Sequence, residues 1–211
     1  MWSSEVTNMI ITGIWETLYM TLVSTLVGYV IGLPMGIILT VSDKDGIKPN
    51  AVLYKILDVI ANIVRSVPFI ILLVLLIPFT RLVVGKSYGS TATIVPLVIA
   101  AAPYIARMVE SSLKEVDAGV IEAARSMGAS NFTIITKVML VEARTSLLVG
   151  ATITLGTILG YSAMSGAVGG RYGYTRWQTD IMIVTVILLI ILFQIFQTVG
   201  MKLADKFDHR K

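Results

Sequence analysis

The chain has 211 residues, of which 55% are hydrophobic and only 14% are charged, and its mean hydropathy of +0.83 excludes an ordinary soluble domain and indicates an integral membrane protein. It contains no cysteine and a single histidine, His209, so neither a disulfide framework nor a metal site is expected. The net charge of +4 comes from basic residues scattered between apolar runs, which is not the pattern of a nucleic-acid-binding patch.

Five apolar stretches divide the chain, and a helix needs roughly 20 apolar residues to cross a bilayer. No Lys or Arg precedes Lys44, so the first stretch lacks the basic region of a secretory signal and is expected to remain in the mature protein. The second stretch is charge-free for only 15 residues, between Arg65 and Arg81, which leaves a re-entrant segment as the alternative to a span. Within a single domain, residues 1–211, the predicted spans are residues 14–42, 60–83, 89–109, 145–168 and 180–202.

The distribution of Lys and Arg favours five spans over four. Five spans place 13 of these residues on one side of the membrane and 4 on the other, whereas four spans divide them 9 to 8. Because basic residues are retained in the cytoplasm, the predicted topology has the amino terminus outside and the carboxyl terminus inside. The same topology places residues 107–144 in the cytoplasm.

Glycines and polar residues recur at helical spacing in and beside the first two spans. Gly28, Gly32 and Gly36 follow one another every four residues, which predicts close packing of helix backbones. An amphipathic helix is predicted over residues 51–64, at the cytoplasmic interface. Its polar stripe, which faces water or a neighbouring helix, consists of Lys55, Asp58, Asn62 and Arg65.

The predicted cytoplasmic segment, residues 115–140, contains two short helices joined at a glycine. Asp117 is predicted to cap a helix that begins at Ala118, and Gly128 is predicted to end it in the left-handed conformation. Ser130 is predicted to cap the second helix. The apolar face of the first helix comprises Val120, Ile121, Ala124 and Met127, with Glu122, Arg125 and Ser126 facing away, and that of the second comprises Ile134, Ile135, Val138 and Met139.

Three interpretations of this segment remain open from the residues alone. A DNA-reading helix pair is disfavoured, because its second helix offers one base, Lys137, and DNA affinity depends on many phosphate contacts. A helix that lies on the inner leaflet is the second interpretation. The third is a docking element for a cytoplasmic partner, favoured by the small Ala123 and Ala124 beside Glu122, which can accept a hydrogen bond from an arginine.

Glu122, Ala123, Ala124 and Gly128 have the spacing E-A-A-x-x-x-G, with Leu140 twelve residues beyond the glycine. On a cytoplasmic loop between the third and fourth spans, this pattern resembles the coupling motif of ABC importer permeases. The chain is similar to methionine importer permeases in particular over nearly its whole length. The similar segments are ETLYMTLVSTLVGYVIGLPMGIIL at 16–39, NIVRSVPFIILL at 62–73, IPFTRLVVG at 77–85, APYIARMVESSL at 102–113 and GYSAMSGAVGG at 160–170.

The resemblance implies an all-α, type I ABC importer permease fold with five transmembrane helices and a coupling helix, in the bacterial inner membrane. It implies a cytoplasmic ATP-binding partner in two copies, a second copy of this chain and an extracytoplasmic substrate-binding protein. The partner would bind ATP and Mg²⁺, so neither a cofactor nor a catalytic residue is expected in this chain. The residues implied in coupling to the partner are Glu122, Ala123, Ala124, Arg125 and Gly128.

The implied mechanism is alternating access along the axis of a homodimer. Candidates to line the path are Tyr161, Ser162, Met164 and Ser165, near the outer end of the fourth span, with packing inside the chain as the alternative. Gly85-Lys86-Ser87 resembles the end of a phosphate-binding loop, but Thr80 occupies the position of that loop's first glycine. Arg107 and Glu110, three residues apart, are predicted to pair on their helix.

The chain departs from the family pattern at three places. Val141 follows Leu140 where a proline is expected, and Thr145 stands where a further proline is expected, so the rigid turn there is missing. After Gly170 the chain continues with Arg171 instead of further glycines, which indicates a shortened or incomplete external loop.

Other functions remain as alternatives to methionine import. An importer of another small solute shares every feature above. A secondary transporter or a membrane scaffold would not need the capped helix pair, and a secondary transporter should carry ion-coupling carboxylates near the membrane midplane, where none is evident. An integral membrane enzyme is disfavoured because no polar cluster of catalytic type is present.

Overall fold

The computed structural model describes residues 4–168 and 179–207. Over these residues the regular structure is entirely helical, which confirms the all-α prediction. The predicted external loop after Gly170 lies outside the described residues. In chain order the helices are α1 (Ser4–Ser42), α2 (Ala51–Ser66), α3 (Phe69–Leu75), α4 (Ile77–Val84), α5 (Ser90–Lys114), α6 (Ala118–Ser126), α7 (Asn131–Thr133), the π-helix Ile134–Met139, α8 (Leu140–Glu142), α9 (Arg144–Val168) and α10 (Thr179–Lys206).

Four helices of the described residues, α1, α5, α9 and α10, are long and apolar enough to cross a membrane. The bent pair α2 and α3 meets the same criterion when taken together, which allows up to five spans. In the bundle, α1 packs along α5, α9 contacts both, and α10 lies against α9. The ring of Phe193 from α10 sits on Gly156 of α9, and Thr152 of α9 contacts Gly200 of α10.

The region of the predicted second span, residues 60–83, is divided among three helices. α2 ends at Ser66, and α3 leaves it at an angle of 101°. The cause is Pro68, because a residue that precedes proline avoids the helical conformation, and Val67 is extended with φ −84° and ψ 124°. A second proline, Pro78, occupies the first turn of α4, where its missing N–H costs nothing.

The boundaries of the other long helices differ from the predicted spans mainly at their ends. α1 begins at Ser4, ten residues before the predicted start, and α5 continues to Lys114 instead of ending at 109. Helices extend past the apolar run because nothing in the flanking residues stops them, so hydropathy locates a span better than it locates the ends of its helix.

The glycine repeat of α1 forms its contact with α5. A Cβ atom on Gly32 would lie 2.6 Å from the carbonyl oxygen of Ala102, and one on Gly36 would lie 2.6 Å from that of Ala106. Gly28 faces Ile105 and Ala101 in the same row. These distances leave no room for a side chain, so the predicted close approach of backbones is confirmed, and the partner is α5.

Candidate coupling segment and translocation path

α6 is capped at both ends as the sequence predicted. Asp117 is extended, and its Oδ1 accepts a hydrogen bond of 2.7 Å from the backbone N–H of Gly119. At the other end Gly128 has a φ of +80°, which glycine adopts without strain, and its N–H donates to the carbonyl of Arg125 at 2.9 Å. Residues that flank this nine-residue helix therefore fix where it begins and where it ends.

The face of α6 that carries the coupling motif is open to solvent. Glu122 and Ala123 are exposed, while Ala124 is buried and packs in the hydrophobic core beside Ile134. The helix therefore rests on the bundle through Ala124 and presents Glu122 outward. This arrangement leaves a carboxylate available to a donor from another molecule.

On the predicted apolar face of α6, Ala124 is buried and Ile121 is half-buried, whereas Val120 and Met127 are exposed, at 41% and 82%. Met127 continues the last turn of α6, since its N–H donates to the carbonyl of Ala123 at 3.1 Å, so part of the apolar face is exposed although helical spacing is kept. Phe132, for which the sequence predicted no role, is 76% exposed nearby in the chain. The glycine that follows Met127 by one position indicated that Met127 lies at the end of the helix. No sequence feature indicated the exposure of Phe132.

The second helix of the segment begins as predicted and then widens. Ser130 Oγ accepts from the N–H of Thr133 at 3.2 Å, which confirms the cap. The regular α-helix predicted beyond it is replaced after three residues by a π-helix. Because a π-helix bonds residues five apart, it turns Ile134 and Met139 to the same side, and both are buried.

The two positions that lack the expected prolines have different surroundings. Val141 lies in α8 and is 45% exposed. The hydroxyl of Thr145, at the start of α9, donates a hydrogen bond of 3.4 Å to the carbonyl of Phe207, which follows α10. A proline at 145 could not make this link between α9 and the end of α10.

A charged network connects α1, α2 and α5 at the end of the bundle next to α6. The predicted pair of Arg107 and Glu110 is confirmed, with 2.6 Å between Nη1 and Oε2. Glu110, which is buried, also pairs with Lys114 at 2.8 Å and accepts a hydrogen bond of 3.2 Å from the hydroxyl of Tyr54. A single carboxylate thus satisfies three donors from two helices.

The same network extends to further side chains of α2 and to the end of α1. Arg107 pairs with Asp58 and donates to the side-chain oxygen of Asn62 at 3.2 Å, so these two members of the predicted polar stripe face α5. Lys114 pairs with Asp43 at 2.7 Å, and its hydrogen bond lowers the pKa of the Asp43 carboxyl below its ordinary value. Both pairings join residues that are far apart in the sequence, so the sequence did not predict them.

The four candidate path residues do not share one environment. Tyr161 stacks on Phe69 of α3, with ring centroids 4.6 Å apart and planes inclined by 4°. Ser162 and Ser165 are buried and donate to carbonyls three residues earlier, at 2.7 Å and 2.6 Å. Met164 is 45% exposed. The structure therefore turns the two serines into the chain and Met164 away from it.

In its described part the chain is all-helical, with four or five candidate spans and a capped solvent-facing helix, which is the architecture expected of an integral membrane protein. Residues 32–210 match the family of binding-protein-dependent transport system inner membrane components, and the chain belongs to this family.

Curated relatives carry a more specific description. The chain is 46% identical over 217 residues to the probable D-methionine transport system permease protein MetI of Vibrio cholerae, with 99% of this chain and 96% of the relative covered. It is 50% identical over 158 residues to the D-methionine transport system permease protein MetI of Escherichia coli K12, covering 75% of this chain and 73% of the relative. The predicted resemblance to methionine importer permeases is confirmed.

Solved structures show the same relationship. A chain of the inward-facing MetNI methionine ABC transporter aligns with a TM-score of 0.95 and 47% identity, covering 99% of this chain and 100% of that chain. A chain of an amino acid ABC transporter with histidines aligns with a TM-score of 0.71 at 23% identity, covering 98% and 96% of the two chains, which shows the fold alone. The predicted type I ABC importer permease fold is confirmed.

Proposed function

We propose that this chain is the permease subunit of an ATP-driven importer that moves methionine into the cytoplasm by alternating access. The observation that carries the proposal is the alignment of 99% of the chain with a methionine ABC transporter at 47% identity. Chains this similar over their whole length share their packing, and relatives described as D-methionine permeases add to the argument for the substrate.

The proposed partner on the cytoplasmic side is a pair of ATP-binding subunits that hold ATP and Mg²⁺, since this chain offers no phosphate-binding loop. Exposed apolar side chains beside an exposed carboxylate favour a protein-binding surface on α6 and the residues after it. Met127, Phe132 and Glu122 supply these groups, with Ala123 allowing close approach. The coupling role of Glu122, Ala123, Ala124, Arg125 and Gly128 is part of the proposal.

The proposed mechanism converts closure of the partner subunits into movement of the bundle. ATP binding draws the two partner subunits together, and the α6 helices of two permease chains follow. The bundle then changes from an inward-facing to an outward-facing arrangement and receives substrate from an extracytoplasmic binding protein. Two copies of the chain are required because up to five spans do not readily enclose a path.

The proposed path lies on the axis of this homodimer. Tyr161, Ser162, Met164 and Ser165 remain its predicted lining. Met164, exposed on α9, is the member best placed to reach a path shared by two chains, whereas Ser162 and Ser165 would require α9 to rotate.

The proposed orientation is an external amino terminus and a cytoplasmic carboxyl terminus. The chain is an inner-membrane component, and the excess of Lys and Arg on the α6 side supports the assignment of that side to the cytoplasm. Labelling of single cysteines introduced into this cysteine-free chain, at Asp45 and at Ser87, tests it in intact cells. We expect an impermeant maleimide to modify position 87 and not position 45.

Reconstituted transport tests the function as a whole. Vesicles that contain this chain and its ATP-binding partner are supplied with the binding protein, ATP and radiolabelled methionine. We expect uptake that requires ATP, the partner and the binding protein. ATP-dependent uptake of a different labelled amino acid, unaffected by excess methionine, would assign the chain to an importer of another solute.

A further inference from the structure

The segment between α1 and α2, residues 43–50, is compact rather than a free linker, and we call it the α1–α2 loop. The N–H of Lys48 donates to the carbonyl of Val41 at 3.0 Å, and that of Asn50 donates to the carbonyl of Ser42 at 2.9 Å. These bonds fold the loop back onto the last turn of α1. A displacement applied to one part of the loop is therefore carried to the rest.

The α1–α2 loop is attached to two other elements. At its start, Asp43 pairs with Lys114 at the end of α5, at 2.7 Å. Further along, Arg125 of α6 donates a hydrogen bond of 3.2 Å from Nη2 to the carbonyl of Ile47, and the Ile47 side chain packs against the same core that holds Ala124. Thus α6 is connected to the loop through this hydrogen bond, and both pack on the same hydrophobic core.

The loop continues into α2 and from there toward the predicted path. Asn50 caps α2 by accepting a hydrogen bond of 3.1 Å from the N–H of Leu53. At the far end of α2 the chain bends through 101° into α3. The first residue of α3, Phe69, stacks on Tyr161. A continuous set of contacts therefore runs from α6 to an aromatic pair in the bundle.

We propose that the α1–α2 loop is a second transmission element, and that Arg125 is the positioning residue that makes α2 move with α6. The inference rests on the proposed function, since it concerns how partner-driven movement of α6 reaches the bundle. When α6 is displaced, the loop and the start of α2 follow it, and the bend at Pro68 transfers the movement to Phe69 and Tyr161. Packed elements shift as units because their contacts do not stretch.

The first test measures how well ATP hydrolysis drives transport in reconstituted vesicles. Arg125→Ala is expected to lower methionine uptake per ATP hydrolysed by about twofold to tenfold, the effect of losing one hydrogen bond, with the same yield of assembled complex. Arg125→Lys keeps a donor for the Ile47 carbonyl and is expected to restore most of the ratio. Asp45→Ala is the matched control, because Asp45 lies in the same loop and pairs only weakly with the exposed Lys44, at 3.8 Å.

A double-mutant cycle separates this role from direct contact between Arg125 and the ATP-binding partner. Asp43→Ala breaks the contact of the loop with α5. If both residues act through the loop, the double variant departs from the product of the two single effects, because changes at two contacts of one packed element are not independent. Multiplicative effects would mean that Arg125 acts independently of the loop, and they would overturn the inference.

The same vesicles distinguish failure of the inference from failure of the proposed function. An absence of methionine uptake by the wild-type complex counts against the proposed substrate alone. Stimulation of ATP hydrolysis by the binding protein does not depend on which solute is carried, and Arg125→Ala is expected to weaken it by about twofold to tenfold. Unchanged stimulation together with an unchanged uptake ratio would exclude a transmission role for the loop.

Discussion

Small residues occur in α1 and in α6, and the two helices use them in opposite ways. Gly32 and Gly36 of α1 are buried, with the backbone of α5 lying directly against them. Gly119 and Ala123 of α6 are exposed. The small residues of α1 are covered within the chain, whereas those of α6 leave a surface that the proposed partner can approach closely.

The two regions also differ in what stabilises them. The α1–α5 contact is maintained by close packing over several turns, so it should respond to added volume. α6 has nine residues, one buried side chain and two caps, and a helix this short is marginal in isolation. Changes on its exposed face should therefore alter binding and transport while leaving the stability of the bundle unaffected.

The largest expected effect is on the exposed face. Glu122→Lys is expected to abolish methionine uptake while membrane insertion and thermal stability remain those of the wild type. A hydrogen bond to a charged group contributes about 1.5 to 3 kcal/mol, and the substitution also reverses the charge. Uptake and co-purification of the ATP-binding partner are measured together, with Glu115→Lys, outside α6, as the control. Normal transport by Glu122→Lys would contradict the docking role.

Glu110 is a buried charge at the same end of the molecule as α6. As in the α1–α5 contact, a change at this position should lower the stability of the bundle. Glu110→Ala removes the carboxylate that Arg107 and Lys114 share, but each cation keeps a second carboxylate, so we expect the loss of a hydrogen bond to a charged group, about 1.5 to 3 kcal/mol. Thermal unfolding of the purified protein in detergent measures the loss, with the exposed Glu115→Ala as control. An unchanged unfolding temperature would show that the remaining contacts of α2 and α5 suffice.

The glycine contact is tested by adding one methyl group. Gly32→Ala places a Cβ against the Ala102 carbonyl, and overpacking of this kind costs about 1 to 3 kcal/mol. Gly13→Ala in the same helix is the control, since among the described residues nothing outside its own stretch of helix backbone lies within 4 Å of the added Cβ. The unfolding temperatures of the two variants are compared. Equal values would refute the claim that backbone contact with α5 requires glycine.

The smallest expected effect concerns Asp43. Its pKa in the folded protein is lowered by Lys114, so its contribution is present above the ordinary value of 3.8 and is lost as the pH falls through the lowered pKa. Asp43→Asn is expected to cost less than about 1 kcal/mol at neutral pH, as for partly exposed pairs. Urea unfolding at pH 7 and pH 3 checks this, with Asp45→Asn as control; a larger difference at pH 3 would contradict the assignment.

Local features were predictable because local chemistry determines them. The caps at Asp117 and Ser130 and the left-handed Gly128 depend on a few neighbouring residues, and each is confirmed. The pair of Arg107 and Glu110 is one helical turn apart and was also predictable. Helical spacing predicted the apolar face of α6 but not the exposure of Val120 and Met127, because coverage by the rest of the chain depends on tertiary packing.

By itself the sequence determined which segments are apolar enough for a membrane, where both short helices start and the first one stops, and which family the chain resembles. Only the tertiary structure decided that Arg107 meets Asp58, 49 residues away, and that Arg125 reaches the carbonyl of Ile47, 78 residues away. Hydropathy and capping act along the chain, whereas these contacts depend on how helices are oriented around one another. That orientation is set by packing, here by glycines that let α1 and α5 touch, and by the bend at Pro68 between α2 and α3.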